Sequence, residues 1–122
     1  MADWLTPYNP DEAFLLAEAN GFRSRGKVVL KAGADYQAGT VLEAEEVAGD
    51  PTGFAIPYVG AETAFVLCRH VDATDAAPLT GVEAAVIESD AEVKRHELTL
   101  PTVPAAAASA VAALAAVGIK VR

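Results

Sequence analysis

The chain has few of the residues on which many small proteins rely for chemistry or for cross-linking. It contains one cysteine, one tryptophan and two histidines in 122 residues, and aromatic residues make up only 7% of it. A lone cysteine cannot form an internal disulfide, so we expect a hydrophobic core to hold the fold. This pattern is typical of a reducing compartment or of a protein that needs no covalent cross-links.

Positive charge is also scarce, since nine Lys and Arg residues stand against 17 Asp and Glu residues, for a net charge of −8. Proteins that bind nucleic acids without sequence preference neutralise phosphates with basic side chains, so the charge argues against that class. The bases are concentrated in residues 20–34, which contain no acid, whereas residues 35–92 are strongly acidic. This division indicates either a basic segment that meets an acidic partner or an ordinary solvated surface.

Long, strongly apolar runs are missing as well. The N-terminal residues are acidic and lack the basic start and apolar stretch of a secretory signal peptide. Residues 101–119 carry no charge, but Pro101, Thr102, Pro104 and Ser109 interrupt them, and their alanines contribute little to membrane insertion. We therefore expect no membrane partner.

Residues suited to catalysis or metal binding are sparse. Cys68 and His70 share one face of a predicted strand, and only His96 could join them, without the spacing of a known metal motif. We place Cys68 in the core and His70 at an exposed strand end. The acidic run at residues 43–46 indicates a solvated strand edge rather than a cation site. The sequence thus predicts no metal, no cofactor and no catalytic residue.

Short strand patterns between turns make up most of the chain. In the best of them, residues 63–71, both alternating faces are largely apolar, which predicts a central strand. Short strands at such intervals predict a mainly β fold, either a small barrel-like domain or a sandwich. The other predicted strands are residues 27–31, 39–47, 54–59, 82–88, 93–100 and 119–122.

The first 25 residues have a different character, with apolar side chains set among prolines and acids. Asn9 and Pro10 resemble a helix start and Gly21 a helix stop, which predicts a short helix over residues 10–19. An extended arm is the competing prediction. We therefore separate an N-terminal arm, residues 1–25, from a β domain.

That domain, residues 26–122, closes with an alanine-rich helix predicted at residues 104–117. Proline is tolerated in a first helical turn, and Gly118 suits the position after the last one. The helix has no charged face, which indicates a second packing partner such as a neighbouring subunit, or else an ordinary alanine-rich surface. The predicted inner stripe consists of Ala107, Val111, Leu114 and Val117.

Several stretches, in their order along the chain, resemble one known family. They are FLLAEANGFRSR at residues 14–25, AGTVL at 38–42, TAFVLCRHVDAT at 63–74, GVEAAVIESDAEVKRHEL at 81–98, and the alanine-rich helix ending in GIKVR. Together they are similar to the lambda-type bacteriophage head decoration protein D family over nearly the whole chain.

The resemblance implies a small β-clip domain with an N-terminal arm and an alanine-rich C-terminal helix. It implies a cement protein that sits as homotrimers on the outer surface of the phage head, at threefold and quasi-threefold positions. Such a protein is made in the host cytoplasm and binds the major capsid protein after the shell expands. It is not an enzyme and needs no cofactor.

The resemblance also assigns roles to particular residues, and it favours an extended arm that adds strand-like contacts to the shell. The predicted capsid-binding residues are Trp4, Leu5, Tyr8, Phe14, Leu15, Leu16, Arg23 and Arg25. The predicted subunit interface consists of Ala108, Ala112, Ala113 and Ala116.

Two alternatives stay open at this point. The chain could be a small oligomeric β domain that binds or processes a small molecule at a subunit junction, using His70, Asp72 and Glu62. It could also be a host-side interaction module with no role in a virion. For the arm, the alternative is that it packs on its own domain.

Overall fold

The computed structural model describes residues 14–18, 25–76 and 80–122. Within them the chain is mainly β with one C-terminal α-helix, which confirms the predicted fold class. The strands are β1 (Leu15–Glu18), β2 (Arg25–Leu30), β3 (Asp35–Tyr36), β4 (Val41–Val47), β5 (Asp50–Pro57), β6 (Phe65–Leu67), β7 (Val71–Asp72), β8 (Val82–Ile87), β9 (Ala91–Val93) and β10 (Ile119–Val121); the helices are a short 3-10 helix (Arg95–Glu97) and α1 (Pro104–Ala116).

Five strands close into a barrel in the order β2-β5-β4-β6-β8. Neighbours are antiparallel except for β2 and β5, which run parallel and pair through Val29 opposite Phe54 and Leu30 opposite Ala55. On its other side β2 pairs with β8 along its whole length. The seam between β2 and β5 is therefore much shorter than the seam between β2 and β8.

Two smaller sheets flank the barrel strands. The first has the order β1-β9-β10, with β1 antiparallel and β10 parallel to β9. The second is the antiparallel pair of β3 and β7. Since β1 lies at the edge of its sheet, its outer side pairs with no strand in the described ranges.

Strand β6 lies between two buried clusters, because its alternate side chains point to opposite faces. One face carries Val66 and the other Leu67, both fully buried. This confirms the predicted alternation and the central position, although the strand is shorter than residues 63–71. The first cluster includes Phe14, Val41, Cys68, Leu114 and Ile119, and the second includes Leu30, Tyr36, Leu42 and Val86.

The strand predicted over residues 93–100 is wrong beyond Val93. The Lys94 N–H donates to the carbonyl oxygen of Phe14, and the chain then turns through the 3-10 helix. The hydrogen-bond partner is distant in sequence, so the local alternation of side chains could not reveal the turn.

The hairpin between β4 and β5 is also longer than predicted, because β5 begins at Asp50 rather than at residue 54. Ala48 and Gly49 join the strands with φ values of 54° and 85°, the two positive values that a tight type I′ turn requires. Residues 46–53 are exposed, so the hairpin ends in a solvated tip.

The helix predicted over residues 10–19 is wrong where the structure describes it, since Leu15–Glu18 form strand β1. Residues 10–13 and 19 lie outside the described ranges. Pairing with β9 and burial of the Phe14 side chain outweigh the local capping signals. The extended alternative is the one found at these four residues.

Helix α1 ends one residue before the predicted boundary, with Val117 as its C-terminal cap. Gly118 follows with φ of +84°, a left-handed conformation in which glycine avoids the strain of a side chain. The face toward the domain buries Ala110, Ala113 and Leu114. The small alanines let the helix backbone approach the core closely.

Candidate interaction surfaces

The N-terminal strand is anchored by its first residues. Phe14 is only 1% exposed and belongs to the core, and its carbonyl oxygen accepts the Lys94 N–H across 2.7 Å. Leu15 is half-buried against the same cluster, whereas Leu16 is 47% exposed. Of these three predicted capsid contacts, Leu16 is the side chain that a partner could reach in this conformation.

An ion pair links the end of β1 to the start of β2. The Arg25 guanidinium donates to both carboxylate oxygens of Glu18, at 2.9 and 2.7 Å, and a third nitrogen lies 3.8 Å from the Cys68 sulfur. Both charged side chains are about three-quarters buried. A two-point contact of this kind has a fixed geometry, so it holds β1 against the barrel. Arg25, predicted as a capsid-binding residue, contacts Glu18 of its own chain.

The remaining predicted arm contacts, Trp4, Leu5, Tyr8 and Arg23, lie outside the described residues. The boundary at residue 25 between a capsid-binding arm and the β domain stays a prediction. Residues 14–18 pack with the β domain, although they fall within the predicted arm.

The outer face of α1 is solvent-exposed and carries no charge. Ala108, Ala112 and Ala116, three of the four residues predicted for a subunit interface, are spaced by four residues and form one exposed stripe. Ala113, the fourth predicted residue, is 4% exposed and packs in the domain's own core. The described helix therefore has an inner apolar face and an outer one made of small side chains.

Glu43 has a role that the sequence did not reveal. Its side chain is buried, and one carboxylate oxygen accepts the backbone N–H groups of Val59, Gly60 and Ala61 at 2.7, 2.9 and 3.1 Å. The expectation of a solvated strand edge at residues 43–46 is thus wrong for Glu43. An acidic run gives no signal that one carboxylate turns inward, because the receiving loop lies far along the chain.

Tyr58 fixes the same loop from its other side. Its hydroxyl donates to the Ala61 carbonyl oxygen across 2.7 Å. Burial raises the pKa of Tyr58, and the nearby Glu43 carboxylate raises it further. Between these anchors Val59 is 71% exposed, the most exposed large apolar side chain among the described residues.

Glu45 also has a partner. Its carboxylate accepts hydrogen bonds from the Lys31 ammonium at 2.8 Å and the Thr52 hydroxyl at 3.0 Å. The Lys31 hydrogen bond, followed by that of Thr52, lowers the pKa of Glu45. The contact ties the end of β2 to the hairpin of β4 and β5.

The residues considered for small-molecule chemistry lie at two places within one chain, His70 and Asp72 at the β3–β7 pair and Glu62 beside β4. The His70 ring lies 2.5 Å from Asp35, and Asp35 stands directly opposite Asp72 in the β3–β7 pair. Glu62 lies elsewhere, in a cleft beside β4. Among the described residues no three His, Cys, Asp or Glu side chains are grouped as metal ligands, and no helix is long and apolar enough to span a bilayer.

The edge strand β1 with the exposed Leu16 and the charge-free outer face of α1 are surfaces that another protein could cover. The class of protein follows from comparison with protein families: a model described as bacteriophage lambda head decoration protein D matches residues 5–119. The match covers nearly the whole chain, and the chain belongs to that family. Comparison with curated proteins gave no match. The family places the chain among the structural proteins of the phage head, as a decoration protein associated with the capsid.

Proposed function

We propose that the chain is a cement protein that binds the major capsid protein on the outside of the expanded phage head and stabilises the shell. The family match over residues 5–119 is the observation that carries this proposal. In this proposal the protein acts as a homotrimer at the threefold and quasi-threefold positions of the head in the completed virion. It needs no cofactor and catalyses no reaction.

The capsid contact in this proposal is made by the N-terminal segment and by β1. Among the described residues β1 is an edge strand of its sheet, and a capsid strand added at this edge would gain main-chain hydrogen bonds. Leu16, exposed beside that edge, supplies an apolar contact. Trp4, Leu5, Tyr8 and Arg23 are the further capsid contacts in this proposal.

Three other predicted arm residues support the contact in a different way. Phe14 and Leu15 pack in the domain, and Arg25 is held by Glu18, so these side chains fix where the segment leaves the fold. A fixed starting point lowers the entropy lost when the segment binds. A trimer presents three such segments at once, which raises their effective concentration at the shell.

The trimer contact in this proposal includes the outer stripe of α1. Ala108, Ala112 and Ala116 offer a smooth surface to which another backbone can approach closely. No charged side chain would have to be desolvated on this face, which lowers the cost of burying it.

The proposal is tested by adding the purified chain to expanded, DNA-free heads of the parent phage and imaging them. Density for three copies around the threefold and quasi-threefold positions of the outer surface is expected. A head surface without added density, at chain concentrations well above the number of sites, would overturn the proposal. Stabilisation is measured separately on DNA-filled heads, by comparing the temperature at which they release DNA with and without the bound chain.

A further inference from the structure

The outer part of the β4–β5 hairpin, residues 44–56, is called here the hairpin arm and has few attachments to the rest of the barrel. Its strands pair with each other from Ala44 opposite Ala55 to Val47 opposite Asp50. Strand β4 pairs with β6 only up to Leu42, so within the described chain β5 is the only strand beside β4 in the arm. Ala55 is the one buried residue of the arm, and most of the others are exposed. Moving the arm would therefore expose little apolar surface.

The hairpin arm meets β2 along a short seam. Only Val29 and Leu30 of β2 pair with β5, and one further hydrogen bond runs from the Lys31 N–H to the Ala55 carbonyl oxygen across 3.1 Å. Beyond this seam an open cavity of about 320 Å³ lies between β2 and the arm. Strand β2 thus pairs with the arm only at its end, whereas it pairs with β8 along its whole length.

Two other seams of the barrel, those of β6 with β4 and with β8, are equally short but better supported. Val66 and Leu67 of β6 are fully buried in the two core clusters. At the β2–β5 seam, by contrast, Val29 and Phe54 are only half-buried. Core packing therefore holds the β2–β5 seam least.

One ion pair crosses from the end of β2 to the hairpin arm. The Lys31 ammonium lies 2.8 Å from the Glu45 carboxylate, which also accepts the Thr52 hydroxyl at 3.0 Å. Lys27, the other base beside the cavity, contacts Glu83 of β8 at 3.6 Å and not the arm. Among the described residues no other ion pair joins the arm to the rest of the chain. The Lys31–Glu45 pair thus has the position of a latch.

The base of the hairpin is held separately. The Tyr58 N–H donates to the Val41 carbonyl oxygen across 2.9 Å, and the buried Glu43 carboxylate accepts the N–H groups of residues 59–61. None of these contacts involves β2, so they remain when the arm leaves it.

We propose that the hairpin arm swings away from β2 as one unit, with the Lys31–Glu45 ion pair as its latch and the base of the hairpin as its hinge. The barrel therefore has an open state in which the β2–β5 seam is broken and the seams of β6 remain closed. Such a local opening exposes the edge of β2 and the apolar lining of the cavity, including Phe54 and Phe65, without unfolding the domain. This inference concerns the chain by itself and does not rest on the proposed function.

Thiol labelling tests the opening, with Ala55→Cys as the reporter. Ala55 is 2% exposed at the seam, so a thiol at this position reacts with a neutral reagent only after the arm moves. The fully buried native Cys68 lies outside the arm and is the reference within the same molecule. Each rate is divided by the rate of the same thiol in the urea-unfolded chain. We expect the thiol at residue 55 to react about ten-fold faster than Cys68 or more; equal normalised rates would overturn the proposal, because the arm would then not open by itself.

Removing one charge of the latch tests its role. Glu45→Gln, added to the Ala55→Cys chain, should speed labelling at residue 55 about two- to five-fold, the range set by a solvent-accessible ion pair, and leave Cys68 unchanged. Glu46→Gln is the matched control, because Glu46 is exposed and forms no ion pair with any residue that the structure describes. It should change neither rate. Equal effects of the two variants, or an equal change at both thiols, would show that the Lys31–Glu45 pair is not the latch.

Hydrogen exchange in chains that keep Ala55 covers the case in which Ala55→Cys itself loosens the fold. The Lys31 N–H donates across the β2–β5 seam to Ala55, and the Cys68 N–H donates to the Ala85 carbonyl oxygen, both across 3.1 Å. The Lys31 amide should exchange through an opening that low urea concentrations do not change, and it should exchange faster in Glu45→Gln. The Cys68 amide should exchange with the urea dependence of global unfolding. The same urea dependence at both amides would contradict a separate movement of the arm.

Discussion

The backbone N–H of Lys94 donates to the carbonyl oxygen of Phe14 across 2.7 Å, and this contact joins the N-terminal strand to the exit of β9. Phe14 also places its ring in the core shared with Leu114 and Ile119. Phe14 itself is therefore not accessible to a partner. The contacts of the N-terminal segment would have to come from the residues before Phe14 or from the outer side of β1.

Phe14→Ala and Leu16→Ala separate folding from capsid contact. Removing the buried ring should lower the free energy of unfolding by about 3–5 kcal/mol, because a cavity remains in a close-packed core. Leu16 is nearly half exposed, so its removal should change stability little but weaken head binding. Urea unfolding and head binding are measured for both; equal losses of stability would contradict the assignment.

Two adjacent alanines of α1 provide a matched pair. Ala113→Glu places a charge in the core and should unfold the domain, because an unpaired buried carboxylate is strongly unfavourable. Ala112→Glu lies on the exposed stripe and should leave urea unfolding unchanged while reducing the fraction of trimer on heads. Normal trimer assembly by Ala112→Glu would remove the outer stripe from the proposed interface.

Part of the fold could be predicted from the sequence alone. The alternation of residues 63–71 correctly placed Val66 and Leu67 on opposite buried faces, because side-chain direction in a strand follows directly from local order. Gly118 likewise marked the end of α1. Local rules sufficed where the structure depends on neighbouring residues.

The predictions failed where the conformation of a segment depends on residues far away in the sequence. The signals for a helix over residues 10–19 are local. Strand β1 forms instead because pairing with β9 and burial of Phe14 in the core stabilise the extended conformation more than the capping residues stabilise a helix. Glu43 looked like its exposed neighbour Glu46, yet its carboxylate turns inward and accepts the backbone N–H groups of residues 59–61.

Of the predicted inner stripe of α1 only Leu114 is fully buried, and the helix buries Ala110 and Ala113 instead, although Ala113 was placed on the outer face. Nearly uniform alanine offers no distinct apolar face from which the orientation of the helix could be predicted.

Glu43→Ala should destabilise the fold by about 1–3 kcal/mol, because three backbone N–H groups lose their acceptor. Glu43→Gln keeps an oxygen in place and should lose less. Val59→Ala, at the exposed end of the same loop, is the control and should not alter unfolding. Urea titrations of the three variants make the comparison; equal effects of Ala and Gln at residue 43 would mean that the hydrogen bonds are not the cause.

Acid stability should depend on the turn that follows β7. The hydroxyl and backbone N–H of Thr74 donate to one Asp72 oxygen at 2.6 and 3.1 Å, and these contacts hold the pKa of Asp72 below its usual value of 3.8. A carboxyl whose pKa is lower in the folded state stabilises the fold above pH 3.8, and this contribution is lost as pH falls through the lowered value.

Thr74→Val removes the hydroxyl and should therefore be less stable than the unaltered chain at neutral pH, with the difference shrinking below pH 3.8. Urea unfolding across that range measures the difference at each pH. A difference that stays constant with pH would assign the effect to side-chain packing instead of to the Asp72 carboxylate.

The central claim is that the N-terminal segment fixes the protein to the phage head, and the structure shows where to cut the chain to test it. A chain beginning at Gly26 would lose Phe14 from the core, whereas one beginning at Ala13 keeps Phe14, β1 and the Glu18–Arg25 pair. Co-sedimentation with expanded, DNA-free heads of the parent phage compares the full chain with the chain beginning at Ala13. We predict saturable binding by the full chain and much weaker binding by the shortened one at equal urea stability. Equal binding by both would contradict the role of residues 1–12, and absence of binding by either would contradict the decoration role itself.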